Sequence, residues 1–414
     1  MGDLRVELYD VHIGDVVGTD WRAFDFITSN DAFESFALGS TVLSESIPLV
    51  PVQNRGRASR RRSFFTELLP EGDLLDYLAS QAKVERYNVV KLLSRYGRDV
   101  AGAIQIYDPE DPSEPRTPYV TRVNGAQIAQ LLRNMRAYPR GNASTTGKTS
   151  LNGVQAKIVL VRKDARWYQA HDGFPSTHIL KPQVGAYPTM IFDEEYGSRF
   201  ARSLGLATHM TRIDAFDGLP TLVIERYDRS TVSPGGRIHQ EDMNQVLGAS
   251  GMQKYQNQGG KVSLRRMADV FLGRGDTESA ERLAKINVMS VALGNLDLHA
   301  KNISVMHPFE GQMTLASAYD VVPQTHQNND REMALAVNGK YLHSDITASD
   351  LAEESRSWGL ADAEQIVVGT LQAIAGIVES ETPLPGSHPH LRRDVIGFTT
   401  NLLGDRAAGD DGAA

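Results

Sequence analysis

Residues 286–302 carry the side chains whose types and spacing are best suited to chemistry. An apolar run over 288–293 leads directly into a polar cluster. The cluster contains five polar residues within eight positions, namely Asn295, Asp297, His299, Lys301 and Asn302. Unpaired carboxylates and amides are costly beside a core, so this arrangement indicates a functional loop.

The spacing of Asp297 and Asn302 is that of a phosphoryl-transfer catalytic loop. In such loops the aspartate accepts the proton of the attacking hydroxyl, and the asparagine oxygen holds Mg²⁺. Asp320, which follows an apolar stretch and Tyr319, offers a second carboxylate for the metal. A single match of this spacing is common in loops. The apolar lead-in and the downstream aspartate together favour an ATP- and Mg²⁺-dependent kinase.

Composition limits the classes of protein. The 414 residues suffice for two or three domains, and 41% hydrophobic with 23% charged residues is ordinary for a globular protein with a sizeable core. The net charge of −8 argues against general nucleic-acid binding. The chain lacks cysteine, a signal-like N-terminus and any apolar stretch near 18 residues. We therefore expect a cytoplasmic protein that does not enter a membrane.

The pattern along the chain predicts an α+β fold of three parts and a tail. We expect a compact α+β subdomain over 1–107, a strand-rich lobe over 108–229, an all-helical lobe over 230–405 and a flexible tail over 406–414. Within the first part, helices are predicted over 63–81 and 84–97. In the second, strands are predicted over 154–162, 166–170, 177–182, 210–216 and 220–228, with helices over 124–135 and 192–206.

A Gly/Ser/Thr-rich segment over 138–153 resembles a Walker A loop only superficially. Five residues separate Gly141 from Gly147 where the motif requires four, and a strand follows where a helix should begin. The segment instead suits the phosphate-covering loop of a kinase-like lobe. Lys157 and Lys181, each in a strand-like stretch, are the candidate phosphate-binding cations.

Two further positions complete the predicted nucleotide site. Glu195, on the helix after Lys181, could orient the phosphate-binding lysine, and Glu194 is nearly as suitable. Glu225 and Tyr227 follow an apolar strand at the change from strands to helices, where a hinge between lobes would contact adenine.

The order of these motifs resembles the HipA family, the serine/threonine kinase toxins of bacterial type II toxin–antitoxin modules. The resemblance spans roughly residues 3 to 400. It rests on nine stretches: FFTELLPEG (64–72), LLSRYGRDVAGAIQI (92–106), SLNGVQAKIVL (150–160), THILKP (177–182), EYGSRFARSLGL (195–206), VIERYDR (223–229), RIHQEDMNQVLG (237–248), GNLDLHAKN (294–302) and AYDVVP (318–323). The front stretches are similar to the family's amino-terminal region, which implies a two-lobed protein-kinase-like fold with an extra front unit.

The resemblance also implies roles for individual residues. Asp297 would be the catalytic base, and Asn302 and Asp320 would hold Mg²⁺. Ser150 would be the autophosphorylated serine whose modification ejects the phosphate loop, with Ser144, Thr145, Thr146 and Thr149 as competing sites. The remaining residues implied at the ATP site are Ser150, Asn152, Gly153, Val154, Gln155, Lys157, Lys181, Glu225, Tyr227, His299, Lys301 and Tyr319. Ala156 departs from the family, which commonly has an acidic residue before the lysine.

The leading functional hypothesis is a toxin kinase that phosphorylates a translation component, such as the glutamyl aminoacyl-tRNA synthetase, and limits itself by autophosphorylation. Its implied partner is a HipB-like helix-turn-helix antitoxin, through which contact with DNA would be mainly indirect. Two alternatives stay open: a small-molecule kinase on a related scaffold, and a non-enzymatic co-repressor of the antitoxin.

Overall fold

The structure, a computed structural model, describes residues 2–136 and 157–410. Three parts are distinguished below: the N-terminal unit (residues 4–107), the strand-rich lobe (119–136 with 158–225) and the helical lobe (239–403). Among the residues described, no helix is long and apolar enough to cross a membrane.

The N-terminal unit is a four-stranded antiparallel sheet covered by helices. Its strand order is β3-β2-β1-β4. The strands are β1 (Leu4–Leu8), β2 (Val11–Val17), β3 (Asp25–Thr28) and β4 (Ile104–Tyr107). The helices are α1 (Asn30–Phe36), α2 (Ala58–Glu67), α3 (Gly72–Ala82) and α4 (Val89–Tyr96). Alternating apolar residues of β1 and the paired Phe64 and Phe65 of α2 share one core.

The helical stretch predicted over 63–81, with an interruption at Pro70 to Gly72, forms two helices in the structure. α2 ends at Glu67 and α3 begins at Gly72. Pro70 explains the break, because proline donates no backbone hydrogen bond and disfavours helical geometry at the residue before it. The break places two glutamates, Glu67 and Glu71, at the tip of the connection.

The strand-rich lobe contains one antiparallel sheet of six strands in the order β5-β7-β6-β8-β10-β9. Its strands are β5 (Tyr119–Val123), β6 (Ile158–Lys163), β7 (Arg166–His171), β8 (His178–Pro182), β9 (Thr211–Phe216) and β10 (Leu219–Glu225). Its helices are α5 (Gly125–Arg136) and α6 (Met190–Ser203). The β-branched and leucine-rich runs of β8 and β10 pair at the centre of the sheet, as their buried side chains require.

The helical lobe has six helices in the described chain and two small sheets. The helices are α7 (Met243–Leu247), α8 (Leu264–Leu272), α9 (Thr277–Leu293), α10 (Ala348–Ser357), α11 (Ala363–Ser380) and α12 (Leu391–Leu403). The strands are β11 (His239–Asp242), β12 (Ser304–His307), β13 (Thr314–Leu315), β14 (Glu332–Val337) and β15 (Lys340–Leu342). The prediction of an all-helical lobe is therefore wrong in this detail. Most of these strands are too short to show a period of two residues in the sequence.

Candidate active site

Strand β8 places Lys181 at the centre of a carboxylate cluster. Its Nζ lies 2.7 Å from Glu194 Oε1 and 2.6 Å from Asp320 Oδ1. The lysine is 7% exposed and Glu194 is 1% exposed, so both hydrogen bonds are protected from water. Of the two candidate lysines, Lys181 is thus the one joined to the predicted metal-binding aspartate.

The preference for Glu195 as the partner of this lysine is wrong. Glu195 Oε2 instead accepts a hydrogen bond from Arg199 Nε at 3.1 Å, within the same helix. Successive residues on an α-helix point about 100° apart, so only one of two adjacent glutamates can face β8. Glu194, the alternative, is the residue that does.

Electrostatics in the cluster follow from one cation facing two carboxylates. Burial alone would lower the pKa of Lys181, but Asp320 and Glu194 raise it above its ordinary value. Burial would raise the pKa of Asp320, but the Lys181 ammonium lowers it. For Glu194 burial outweighs the lysine and the pKa is raised. The cluster has one more carboxylate than the lysine can neutralise, which is an environment suited to a further cation.

Asp320 also has unusual backbone geometry. Its φ angle is 56°, in the left-handed region that side-chain-bearing residues rarely occupy. Such strain persists where the surrounding structure enforces it and is concentrated at functional sites. The residue after Asp320, Val321, packs closely against helix α6. Its carbonyl oxygen faces Gly197, where a Cβ atom would not fit.

The catalytic loop begins where α9 ends at a left-handed glycine, Gly294, with φ of 68°. Asn302 Nδ2 then donates a hydrogen bond to the backbone carbonyl of Asp297 at 3.0 Å. This bond fixes the two predicted catalytic residues relative to one another. With its nitrogen engaged, the amide of Asn302 has its oxygen left as the atom that could bind a cation.

Asp297 is held as a buried carboxyl group. It is 7% exposed, and its Oδ2 has no hydrogen-bond partner among the described residues. Burial raises its pKa to about 8. A carboxylate with a raised pKa is a stronger base than an exposed aspartate, as proton abstraction from a hydroxyl requires.

Two predicted site residues, Tyr227 and Tyr319, form an aromatic pair beside this loop. The Tyr227 and Tyr319 rings stack with centroids 5.6 Å apart, and Tyr319 Oη donates to the carbonyl of Lys301 at 2.6 Å. His299 is buried, and burial lowers its pKa to about 3, so the imidazole is neutral. Tyr227 continues from Glu225 at the end of β10, at the junction between the lobes.

A cavity of about 810 Å³ connects these groups. Nine of the predicted site residues line it: Lys157, Lys181, Glu225, Tyr227, His299, Lys301, Asn302, Tyr319 and Asp320. Lys157 is exposed at its edge. Asp297 is not a lining residue, and it is joined to the cavity through its backbone bond with Asn302.

The predicted phosphate loop lies outside the residues that the structure describes. Ser150, Asn152, Gly153, Val154 and Gln155 lie outside the described residues, as do Ala156 and the competing phosphorylation sites from Ser144 to Thr149.

Lys301, which was predicted to contact the nucleotide, forms ion pairs with two glutamates of the N-terminal unit. Its Nζ lies 2.7 Å from Glu67 Oε2 and 3.2 Å from Glu71 Oε1, both on the N-terminal unit. Lys254 Nζ in turn lies 2.7 Å from Glu71 Oε2. Sequence reasoning did not assign Glu67, Glu71 or Lys254 to the site. The FFTELLPEG stretch was a signal for the two glutamates, whereas nothing in the sequence pointed to Lys254.

The donor set fits a metal that is shared with a nucleotide. The predicted metal-binding residues Asn302 and Asp320 offer an amide oxygen and a carboxylate, and Glu194 Oε2 in the same cluster is a buried oxygen without a hydrogen-bond partner in the described chain. Within residues 2–136 and 157–410, no group of three or more His, Asp or Glu side chains is arranged to hold a metal ion. Magnesium typically takes only one or two protein carboxylates where substrate phosphates supply further oxygens, so the two observations agree.

Comparison with known proteins identifies the family. The family model of the HipA-like C-terminal domain matches residues 149–378, and that of the HipA N-terminal domain matches residues 4–107. The chain belongs to the HipA family. The predicted resemblance and the predicted kinase class are thereby confirmed.

Individual relatives agree with this membership. A putative kinase of Sinorhizobium fredii is 29% identical over 357 residues, covering 79% of this chain and 81% of the relative. The serine/threonine-protein kinase toxin HipA of Shewanella oneidensis is 26% identical over 377 residues, covering 86% and 85%. A solved complex of Shewanella oneidensis HipA, HipB and operator DNA superposes with a TM-score of 0.79 at 24% identity, covering 97% of this chain and 96% of that one. This last likeness confirms the predicted fold.

Proposed function

We propose that this HipA-family chain is a serine/threonine protein kinase that uses ATP and Mg²⁺ and acts as the toxin of a toxin–antitoxin module. The observation that carries the proposal is the Lys181 ammonium held between Glu194 and Asp320 in the cavity beside the Asp297–Asn302 loop. This is the set of groups that protein kinases use for phosphoryl transfer.

Each residue has a defined part in the proposed reaction. Lys181, fixed by Glu194, binds the α- and β-phosphates and is not free to swing away from them. Asp297, as the carboxylate, accepts the proton of the acceptor hydroxyl and becomes the neutral acid, and its burial makes that carboxylate a stronger base than an exposed aspartate. Asn302 and Asp320 would hold Mg²⁺, which supplies charge neutralisation at the phosphates when bound.

The adenine end of the proposed site is the junction at Glu225 and Tyr227. The stacked pair of Tyr227 and Tyr319 presents an aromatic surface to the cavity, and the neutral ring of His299 adds to its apolar character. A planar base binds favourably against such surfaces. Lys157 at the cavity edge and Lys301 remain candidate contacts of the nucleotide.

Regulation is proposed to follow from autophosphorylation at Ser150, with Ser144, Thr145, Thr146 and Thr149 as competing sites. The backbone of 152–155 would cover the ATP phosphates. A phosphate dianion on such a loop would be repelled by the nucleotide it covers, which favours the expelled loop. Lys157, which follows this segment in the sequence, lines the edge of the cavity, and this position supports the proposal.

The proposed partners are a HipB-like helix-turn-helix antitoxin and a protein substrate such as the glutamyl aminoacyl-tRNA synthetase. The antitoxin is supported by the fold likeness to a chain solved with HipB and operator DNA. The same likeness supports a co-repressor role alongside the kinase activity. With a net charge of −8, this chain would leave most phosphate contacts to the antitoxin.

The test is incubation of the purified protein with Mg²⁺-ATP, followed by peptide mass spectrometry, beside the Asp297→Ala variant. We expect phosphate on Ser150 in the wild type only, with ATP binding retained in the variant. Phosphate at 144–149 would move the regulatory site and keep the kinase. Absence of transfer in the wild type, with ATP bound and a small-molecule acceptor consumed, would establish the alternative small-molecule kinase.

A further inference from the structure

The N-terminal unit reaches into the active site through a chain of alternating charges. We define this carboxylate–lysine chain as Glu67, Lys301, Glu71 and Lys254, joined in that order by contacts of 2.7, 3.2 and 2.7 Å. The side chains of Glu67 and Lys254 are 4% and 3% exposed, and those of Lys301 and Glu71 are 16% and 28% exposed. The two ammonium groups and the two carboxylates balance one another in charge, so the loss of either glutamate leaves largely buried lysines with fewer counter-charges.

Both lysines belong to elements that surround the catalytic aspartate. Lys301 stands immediately before Asn302 and four residues after Asp297, so its position sets the course of the catalytic loop. Lys254 ends the short helix Gly251–Lys254, and the ring of the next residue, Tyr255, packs edge-on against His299 at 5.4 Å. Lys301 therefore connects the Asp297–Asn302 loop to the glutamates, and Lys254 connects the segment 251–255 to them.

Glu67 makes a further contact that the ion pairs alone do not explain. Its Oε1 accepts a hydrogen bond from the backbone N–H of Gly251 at 3.1 Å, while its Oε2 faces Lys301. One carboxylate thus holds both the helix that carries Lys254 and the loop that carries Asn302. Glu71 repeats the arrangement with its two oxygens on the two lysines, and these cations lower the pKa of Glu71 to about 2 against the effect of burial.

We infer that Glu67 and Glu71 are positioning residues of the kinase site, through which the N-terminal unit holds the catalytic loop in its reactive geometry. The inference rests on the proposed kinase function for its effect on rate, but the structural coupling stands on the contacts themselves. Neither glutamate needs to touch the nucleotide. Residues that orient catalytic groups typically change activity by about 10- to 100-fold when they are replaced.

The experiment compares the full-length Glu67→Gln and Glu71→Gln variants, and their combination, with the wild type. Gln keeps the size of the side chain and removes its charge. We expect kcat for phosphate transfer to fall about 10- to 100-fold and KM for ATP to change much less, because Lys181, the proposed phosphate-binding lysine, keeps its own partners. Glu71→Asp, which keeps the charge, should recover part of the lost rate.

The matched control lies on helix α3, which begins directly after Glu71. Asp76→Asn removes an exposed ion pair with Arg86, at 3.1 Å, that shares no residue with the carboxylate–lysine chain. It should keep the wild-type kcat. A fall in kcat with the control as large as with Glu71→Gln would mean that any loss of charge on this helix matters, and would overturn the inference.

Hydrogen–deuterium exchange supplies a readout that does not depend on activity. In the glutamine variants, amides of residues 294–303 should exchange faster, while those of β1 and β4 should exchange as in the wild type. Unchanged exchange in the loop, or unchanged kcat, would overturn the inference. A wild type that transfers no phosphate would refute the proposed function, and the exchange data would still decide whether the glutamates hold the loop.

Discussion

The buried carboxyl group of Glu241 gives a pH-dependent prediction away from the catalytic residues. It lies on β11 where the N-terminal unit packs on the helical lobe, and it is 1% exposed. It accepts hydrogen bonds from Ser44 Oγ at 2.6 Å and from the Glu45 N–H at 2.8 Å, and it lies 3.0 Å from His307 Nε2. No arginine or lysine forms an ion pair with it in the described chain.

Burial raises the pKa of Glu241 from 4.5 to about 8. The folded chain therefore holds a proton that the unfolded chain releases above pH 4.5. The stability due to this proton is fully present below pH 4.5 and is lost as the pH rises toward 8. At about 1.4 kcal/mol per pH unit, the wild type should lose roughly 2 kcal/mol between pH 5.5 and pH 7.0 through this group.

Glu241→Gln keeps one oxygen to accept from the Glu45 N–H, and its amide nitrogen can donate to Ser44 Oγ. Because this amide cannot ionise, the variant should not lose this stability. His307, whose pKa burial lowers to about 4, destabilises the fold as the pH falls from 6.5 and acts in the opposite direction. Because His307 contacts residue 241, the same comparison is repeated in a His307→Gln background, where the imidazole is absent from both proteins.

The assay is urea unfolding of both proteins at the two pH values, with Asp76→Asn showing the effect of removing an exposed carboxylate. The variant should gain roughly 2 kcal/mol relative to wild type between pH 5.5 and pH 7.0. Parallel pH dependences of the two proteins would refute the reasoning, since they would mean that Glu241 titrates alike in the folded and unfolded chain.

Two predictions concern the walls of the active site. In Gly197→Ala the added Cβ would lie 2.1 Å from the carbonyl oxygen of Val321, and since backbone atoms cannot yield as a side chain can, urea unfolding should show a loss of about 1–3 kcal/mol. Its kinase rate should fall too, because α6 is pushed away from Asp320. Lys181→Met should cost about 3–5 kcal/mol in the same assay by leaving Glu194 and Asp320 buried without their cation, and calorimetry should show weakened ATP binding; full affinity would contradict the phosphate role.

The sequence located the elements of the strand-rich lobe well because their apolar runs are long and bounded by turns. The predicted strands over 166–170 and 177–182 nearly coincide with β7 and β8. Apolar spacing predicted helical structure over 63–81 with an interruption at Pro70 to Gly72, and the structure has two helices there because the backbone at proline cannot remain helical. Short strands such as β13 gave no periodic signal at all.

Spacing in the sequence explains why the predicted catalytic residues lie together but carries no information on their partners, and the hydrogen bonds show the reason for this difference. The bond from Asn302 to the Asp297 carbonyl joins residues five apart, so the spacing itself contains the geometry. Lys181 and Asp320 are 139 residues apart, and their contact exists only once β8 and the helical lobe have packed together. The choice of Glu194 over Glu195 depends on the rotation of α6, which no local pattern sets.

The N-terminal unit contributes to the site through contacts between residues that are distant in the sequence. Glu67 and Lys301 are far apart in the chain, and nothing in either neighbourhood requires the other. A buried lysine beside a catalytic loop nevertheless needs an anion, because an unpaired ammonium is strongly disfavoured in a protein interior. If the helical lobe is separated from the N-terminal unit, Lys301 and Lys254 lose the carboxylates of Glu67 and Glu71. The catalytic loop would then have to rearrange to expose its lysine to water, so the kinase fold alone should be less active than the whole chain.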